Sequence, residues 1–358
     1  MNEIQSDVLD IKKLLKNVLL YGSSDLHLVV GSEPQIRIDK ELKPLDLPIL
    51  DAKNIESIAY SLISEKQKKE FEDNLELDFS FELHEVGRFR ANYYRTINGI
   101  ACAFRMIPIN IPTLDEYNNN PILKELIKKD CGLILVTGAT GSGKSTTLAS
   151  MLHEINITQR RHIITIEDPV EFVHTNKKSL FSQRNVGTDT KSFQTALRHA
   201  LRQDPDIILI GEMRDAQTIQ IALSAAETGH LVFATLHTNS ATGAINRILD
   251  VFKSEEQSQV RTQLASSLIA VIAQSLIPKI GGSKVVTQEI LITNPAINNL
   301  IRENKVHQIY SQMQLNQMET NMTTQTQEIL KLLKSKTITK ENALKNSNRV
   351  EELVKVII

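Results

Sequence analysis

Residues 133–147 read LILVTGATGSGKSTT, in which a short apolar run, a glycine-rich loop and a segment with helical spacing follow one another. The loop fits the pattern G-x-x-x-x-G-K-[ST], which binds nucleotide phosphates when a strand precedes it and a helix follows it. Glycines allow the backbone to fold closely around phosphate oxygens, and the N–H groups at the helix start attract anions. The flanking patterns favour a nucleoside-triphosphate site over the alternative, a glycine turn with a chance lysine.

The pattern also assigns contacts within the loop. Lys144 would reach the β- and γ-phosphates of the nucleotide, and the hydroxyl of Ser145 would hold Mg²⁺. The predicted nucleotide-binding residues are Gly138, Ala139, Thr140, Gly141, Ser142, Gly143, Lys144, Ser145 and Thr146.

Composition indicates an ordinary globular protein. The chain has 358 residues, enough for two domains, and is 41% apolar and 23% charged. A net charge of −1 provides no general field that would favour nucleic acid or an anionic membrane. Cys102 and Cys131 are not spaced as a metal-binding pair. The first 20 residues lack a signal-peptide profile and no run reaches 18 consecutive apolar residues, so we expect a cytoplasmic protein.

The first 110 residues predict a small α+β domain dominated by antiparallel strands. Prolines and asparagines between residues 107 and 121 indicate a boundary, with a linker at 111–121 and a second domain at 122–358. Within the first domain, helices are predicted at 4–20 and 51–72, and strands at 23–30, 34–39, 75–83 and on both sides of a hairpin at Asn98-Gly99.

From residue 122 onward, strands alternate with helices, which predicts a parallel sheet with crossover helices and hence the α/β class. Residues from about 295 to 358 form a helical C-terminal region without a strand pattern. Strands are predicted at 133–137, 162–166, 180–182, 206–210, 231–235 and 285–291. Helices are predicted at 145–157, 190–203, 215–228 and 255–276, the last with a Ser254–Gln257 capping box and an end before Pro278.

Two acidic stretches follow predicted strands. IEDPVEF at 166–172 contains Glu167, Asp168 and Glu171, and DIILIGEMRD at 206–215 ends its strand in Gly211-Glu212. Phosphoryl transfer to water needs one carboxylate for the water and another near Mg²⁺, and α/β sheets place ligands at the carboxyl ends of strands. Glu212 suits the metal-side carboxylate, although the acid stands one position after the usual one. The alternatives are a solvated acidic loop and a helix cap.

Histidines and arginines supply further candidates. His230 and His237 lie at the two ends of one predicted strand, where either could contact the γ-phosphate or serve a structural role. Arg88 and Arg90 share a strand face. With Arg105 they could act on the nucleotide of a neighbouring subunit, or form an ordinary solvated cationic face.

Taken together and in order, GATGSGKST, IEDPVEF, LIGEMRD and TGHLVFATLHTN resemble the secretion-superfamily ATPases of type II secretion and type IV pili. SDLHL, GRFRANYYR, RQDPDIILIGEMRD and AINNLIRENKVHQIYSQMQ are similar to the members that retract pili in twitching motility. The resemblance extends from about residue 4 to residue 355. Assembly members usually carry a longer N-terminal extension and a four-cysteine zinc insertion, which this sequence lacks, so the resemblance favours retraction.

The resemblance implies an N-terminal PAS-like α+β domain and a RecA-like P-loop NTPase domain with a helical C-terminal region. It implies a ring-shaped homohexamer that hydrolyses ATP with Mg²⁺ at domain and subunit junctions. It also implies a cytoplasmic position at the inner membrane, where a platform protein of the type IV pilus machinery would be the partner. No direct contact with nucleic acid is expected.

The same resemblance gives roles to residues by motif match. Glu171 would be the catalytic base, with Glu212 and Lys144 as further catalytic residues. Ser145 and Glu212, with Asp168 as an additional candidate, would hold Mg²⁺. The residues expected to contact or sense phosphate are His230, His237, Arg88, Arg90 and Arg105.

One departure concerns the C-terminal motif, where AINNLIRE has Asn298 in place of the usual arginine. This change leaves hydrolysis intact but bears on motor coupling. The alternatives are an accessory retraction ATPase and a pilus or type II secretion assembly ATPase without the zinc insertion. From other classes, a nucleotide-dependent scaffold and a RecA-like nucleic-acid translocase stay open, although no lysine or arginine run supplies the basic channel of a translocase.

Overall fold

A computed structural model describes residues 10–38, 41–84, 86–107, 110–117, 120–315 and 321–357. The chain divides into two compact units, Met1–Asn110 and Ile111–Ile358. Each unit has its own hydrophobic core. Among the described residues, the helices are too short or too polar to cross a lipid bilayer.

The first unit is an antiparallel sheet of six strands in the order β3-β2-β1-β6-β5-β4, with helices packed against it. Fully buried Tyr93 joins sheet to helix, because its hydroxyl donates to the carbonyl of Ala59 at 3.2 Å. The elements are α1 (Ile11–Leu20), β1 (Asp25–Leu28), β2 (Gln35–Ile38), β3 (Glu41–Pro44), α2 (Ala52–Ser61), α3 (Glu65–Asn74), β4 (Glu76–Leu83), β5 (Gly87–Thr96) and β6 (Gly99–Ile107).

Three differences from the predictions have local causes. The single helix predicted over 51–72 is two helices separated by three residues, because Ser64 forms a capping box at the start of α3. The predicted hairpin is present, and since Thr96 pairs with Gly99, its turn residues are Ile97 and Asn98. Strand β3 was not predicted, because all four of its residues are exposed and show no alternation. The predicted helix at 4–20 begins at Ile11, with residues 4–9 outside the described part.

The second unit contains a sheet of seven strands in the order β13-β12-β7-β11-β10-β8-β9. All neighbours pair in parallel except β12 and β13, so the α/β class is confirmed. Its elements up to β13 are α4 (Leu114–Tyr117), α5 (Pro121–Leu126), β7 (Gly132–Thr137), α6 (Lys144–Thr158), β8 (His162–Glu167), β9 (Leu180–Asn185), α7 (Phe193–Ala200), β10 (Ile207–Ile210), α8 (Ala216–Glu227), β11 (Leu231–Leu236), α9 (Ala241–Asp250), α10 (Gln257–Ser267), β12 (Leu268–Pro278) and β13 (Lys284–Ile292).

The C-terminal region is helical, as predicted, throughout its described part. Its last three helices pack around a small separate core that includes Ile277 and Ile329, whereas its first two helices belong to the main core of the second unit. The elements are α11 (Pro295–Arg302), a 3₁₀ turn (Val306–Gln308), α12 (Ile309–Met313), α13 (Gln325–Lys334), α14 (Lys340–Asn346) and α15 (Val350–Ile357).

The prediction of a helix over 255–276 is wrong beyond Ser267. Residues Leu268–Pro278 form strand β12, which is buried between β7 and β13. A continuous apolar run such as LIAVIAQSLI has no clear helical or strand period, so its pairing partners decide its structure. The predicted Ser254–Gln257 capping box is also wrong, because Glu256 precedes α10 and provides no side-chain cap.

Parallel pairing aligns the functional motifs along one edge of the second sheet. The last residue of β7 pairs with the last residue of β11, and the end of β10 lies beside the end of β8. The carboxyl ends of these four strands therefore share an edge, which is where α/β sheets bind ligands.

Candidate nucleotide-binding site

The glycine-rich loop joins β7 to α6 and adopts a conformation that requires glycine. Gly138, Gly141 and Gly143 have φ angles of +146°, +76° and +86°, a region that other residues rarely adopt. A Cβ at Gly138 would lie 2.3 Å from the carbonyl oxygen of Gln274, and one at Gly143 would lie 2.1 Å from the hydroxyl of Tyr117. Sterics at these two positions therefore exclude any side chain.

Lys144, the first residue of α6, is buried against the start of the loop. Its ammonium donates to the carbonyls of Gly138 at 2.8 Å and Ala139 at 3.1 Å. Burial lowers the pKa of Lys144, while the carboxylates of Glu212 and Glu171 act in the opposite direction. The structure therefore brings both predicted catalytic carboxylates, Glu171 and Glu212, within electrostatic reach of Lys144.

Glu212 follows β10 and is the centre of an ionic cluster. Its Oε2 accepts a hydrogen bond from the Arg214 guanidinium at 2.6 Å, and its Oε1 lies 3.2 Å from Nε2 of His237. The bond from Arg214, with a further contribution from His237, holds the pKa of Glu212 below its usual range. Glu212 is therefore ionised at neutral pH, as a metal-binding carboxylate must be.

Glu167, the last residue of β8, belongs to the first acidic stretch, but the motifs predicted no individual role for it. Burial raises the pKa of Glu167 to about 7, and the hydroxyl of Thr165 donates to its carboxylate at 2.8 Å. Glu167 and Ser145 line the same cavity of about 40 Å³, which is large enough for a water molecule. The signal in the sequence was its place at the carboxyl end of a buried parallel strand.

The packing around Gly211 explains why the acidic residue that follows β10 is Glu212 and not residue 211, the usual position of the acid. A Cβ at this position would lie 3.1 Å from the Cα of Glu167 and 3.2 Å from the carbonyl oxygen of Ile166. The backbone of Gly211 also donates to that carbonyl and accepts a bond from the hydroxyl of Thr235. Close approach of β8 and β10 therefore leaves room for an acidic side chain only at Glu212.

The loop after β8 presents its two other acids to solvent. Asp168 and Glu171 are exposed, while Val170 and Phe172 between and beyond them are buried. The N–H of Val170 donates to the side chain of Asn185 at 2.8 Å, which fixes the backbone of this loop. Glu171 is therefore carried by an anchored segment, with its carboxylate free to meet a substrate.

The two predicted histidines lie at opposite edges of the sheet. His237 follows the carboxyl end of β11 and contacts Glu212. His230 precedes the amino end of the same strand, about 20 Å away at 3.3 Å per residue, and its Nδ1 lies 3.0 Å from the carbonyl oxygen of Ala225. Within one chain the structure therefore brings His237, and not His230, to the loop.

The three predicted arginines share the exposed face of the first unit's sheet. Arg90 and Arg105 are directly opposite in β5 and β6, and Arg88 lies two residues from Arg90 on the same face. Arg105 donates to the buried carboxylate of Asp25 at 2.7 Å, and Arg90 lies 3.8 Å from Asp78. Two of the three arginines on this face, Arg90 and Arg105, therefore form ion pairs within the chain.

The site suits the phosphates of a nucleotide. Its glycine backbone leaves no side chain in the loop interior at three positions, and the hydroxyl of Ser142 is buried without a hydrogen-bond partner in the described structure. The described residues contain no group of three or more His, Cys, Asp and Glu side chains that could hold a metal.

A mainly parallel sheet whose strand carboxyl ends carry this loop, its lysine and a cluster of acidic side chains defines a P-loop NTPase. The family model described as type II/IV secretion system protein matches residues 3–353. The chain belongs to this family, as its motifs predicted.

Individual relatives extend the similarity over nearly the whole chain. The type IV pilus retraction ATPase PilT of Pseudomonas aeruginosa is 52% identical over 306 residues, 86% of this chain and 89% of that protein. A twitching motility protein of Neisseria gonorrhoeae is 45% identical over 344 residues, 96% of this chain and 92% of that protein. A crystal structure of the pilus retraction motor PilT with bound ADP superposes with a TM-score of 0.91 at 49% identity, covering 97% and 99% of the two chains.

Proposed function

We propose that the protein is a Mg²⁺-dependent ATPase whose hydrolysis powers the retraction of type IV pili. The observation that carries the proposal is the match to the ADP-bound retraction motor, which extends over 97% of this chain at a TM-score of 0.91. Such a match includes both units and the C-terminal helices, so it supports the motor function as well as nucleotide binding. The intact loop and acidic cluster support hydrolysis.

In the proposed reaction, the phosphates of ATP bind to the N–H groups of the loop and to Lys144. Glu171 accepts a proton from a water molecule while the oxygen of that water attacks the γ-phosphorus. The bond between this phosphorus and the bridging oxygen to the β-phosphate then breaks, which yields ADP and phosphate. Lys144 stabilises the charge that moves onto the leaving oxygen.

Ser145 and Glu212 would hold Mg²⁺, directly or through water, with Asp168 as a further candidate. When bound, this ion would neutralise phosphate charge. Glu212 is suited to the role because Arg214 keeps it ionised. His237, bonded to the same carboxylate, is the proposed sensor of the γ-phosphate, since a change at Glu212 would move its ring.

We further propose a homohexamer in which the first unit is PAS-like, over residues 1–110, and the second is RecA-like, over 122–358, with 111–121 as the linker. Arg88, Arg90 and Arg105, together with His230, would then act on phosphates at a junction with a neighbouring subunit. The position of His230 far from its own loop supports a role of this kind only in such an assembly. The ring would lie in the cytoplasm at the inner membrane and act on a platform protein of the pilus machinery.

ATPase assays test the proposed enzyme activity, and experiments in cells test the proposed role in pilus retraction. Purified protein should hydrolyse ATP only with Mg²⁺, and Glu171→Gln should lower kcat at least a hundredfold, because it removes the base. Glu125→Gln is the matched control and should retain parental activity. Glu125 lies on α5, and its exposed carboxylate forms an ion pair with Lys128. Hydrolysis by Glu171→Gln at the parental rate would exclude Glu171 as the base.

In cells, deletion of the gene should increase surface pili and abolish surface motility, and the Glu171→Gln protein should fail to restore motility. Few or no pili after deletion would indicate assembly instead. No change in pili or motility would refute a role in retraction.

A further inference from the structure

The phosphate-binding loop is supported from behind by two residues outside all the motifs, Gln274 of β12 and Tyr117 of α4. We propose that these are positioning residues, which orient N–H groups of the loop toward the phosphates of a bound nucleotide. The inference rests on the nucleotide site proposed above. It concerns how the loop acquires its shape, which the family motifs do not explain.

Both the nitrogen and the oxygen of the Gln274 side-chain amide form hydrogen bonds that support the loop. Its Nε2 donates to the carbonyl of Ser142 at 2.7 Å. Its Oε1 accepts from the hydroxyl of Thr147 at 2.7 Å and from Nε2 of Gln288 at 3.2 Å. Because Gln274 is only 3% exposed, water does not compete for these bonds, and its orientation is fixed by three partners.

Tyr117 supports the neighbouring peptide. Its hydroxyl donates to the carbonyl of Gly143 at 3.3 Å, and the half-buried ring belongs to helix α4, which packs on α6. Burial raises the pKa of Tyr117, so the hydroxyl stays protonated and able to donate at neutral pH. Gln274 thus bonds the carbonyl of Ser142, and Tyr117 bonds the carbonyl of the next residue, Gly143.

Peptide geometry converts these carbonyl contacts into N–H orientation. A trans peptide is planar, and its C=O and N–H groups point in opposite directions. The bond from Gln274 to the carbonyl of Ser142 therefore orients the N–H of Gly143. The carbonyl of Gly143 accepts both from Tyr117 and from the helical N–H of Thr147 at 3.0 Å, and these two bonds together orient the N–H of Lys144. Both N–H groups stand at the start of α6, where the helix dipole favours an anion.

The glycines of the loop are matched to these supports. A Cβ at Gly143 would lie 2.9 Å from Nε2 of Gln274 as well as 2.1 Å from the Tyr117 hydroxyl. A Cβ at Gly138 would lie 2.3 Å from the backbone carbonyl of Gln274. Gly138 and Gly143 are thus required by the same residues, Gln274 and Tyr117, that bond the loop. The shape of the loop therefore depends on these two residues.

The test measures the affinity of the full-length protein for N-methylanthraniloyl-ADP with Mg²⁺, together with the thermal midpoint. Gln274→Met keeps the volume of the side chain but removes its hydrogen bonds, and should raise Kd roughly tenfold. Thr287→Val is the matched control. It removes a buried hydroxyl that bonds Ser275 on the same pair of strands and does not touch the loop. It should change Kd less than about twofold.

A folded Gln274→Met variant with parental affinity would overturn the inference. If this variant does not fold, Tyr117→Phe decides, because it removes one hydroxyl from a half-buried ring and should raise Kd about threefold. Parental affinity of Tyr117→Phe would then refute the positioning role. Failure of the parent protein itself to bind the nucleotide would instead refute the proposed function, so the two failures are distinguishable.

Discussion

Gly211 provides a sharp test of how closely β8 and β10 must approach for activity. Alanine at this position needs no unusual backbone angle, yet its Cβ would stand 3.1 Å from the Cα of Glu167 and 3.2 Å from the Ile166 carbonyl oxygen. Both atoms are backbone atoms of β8, so the contact can be relieved only if the strands separate by a few tenths of an ångström.

Overpacking of this kind costs about 1–2 kcal/mol, at the low end of the range for added methyl groups. For a unit of this size, that corresponds to a thermal midpoint lowered by about 2–8 °C. The strand ends carry Glu167 and Glu212, so Gly211→Ala should also lower kcat about tenfold through misplacement, with little change in KM.

Circular dichroism and steady-state ATPase assays measure the two effects. Gly281→Ala, in the turn between β12 and β13, is the control, because its φ of +86° disfavours alanine while nothing lies within 4 Å of the new Cβ. It should lower the midpoint by a similar amount without changing kcat. Gly211→Ala protein with the parental midpoint and kcat would show that the two strands do not need this approach.

Three further predictions follow from charged groups. Arg214→Ala removes the bond that lowers the pKa of Glu212, so the acid limb of the pH–activity profile should move to higher pH; an unchanged limb would contradict this role. Arg105→Leu leaves the buried carboxylate of Asp25 without its ion pair, and urea titration should show a loss of about 1–3 kcal/mol, whereas Arg88→Leu should lose less than about 0.5 kcal/mol. Burial raises the pKa of Glu289, so its stability contribution is greatest below the unfolded value of about 4.3 and is lost as pH rises through the folded pKa. Glu289→Gln, whose amide oxygen can still accept from Ala241, should therefore gain thermal stability over the parent more at pH 8 than at pH 5; an equal difference at both would refute this.

The sequence was most informative where local chemistry decides structure. The loop between β7 and α6 was predicted residue by residue, because positive φ angles demand glycine and the flanking apolar runs are unambiguous. Strands β7, β8, β10 and β11 were found for a similar reason, since buried parallel strands read as short apolar runs.

Long-range pairing explains what was missed. β12 was predicted as helix because its apolar run has no period of its own, and its neighbour β7 lies more than a hundred residues earlier in the chain. Glu167 was named in its acidic stretch but received no individual role, because a strand-end carboxylate becomes distinctive only when Gly211 approaches it. The separation of His230 from the loop likewise follows from the parallel register of β11 and β7, which spacing along the chain does not reveal.

The bond between Gln274 and the Ser142 carbonyl joins residues 132 positions apart, and this distance has a consequence for biosynthesis. A nascent chain that has just emerged through α6 contains the entire phosphate-binding motif but not the strand that shapes it. Nucleotide should therefore bind firmly only after β12 and β13 have left the ribosome, and a shorter fragment ending before them would not be a portable binding module. The motif is local in sequence, while the competence to bind is acquired late in translation.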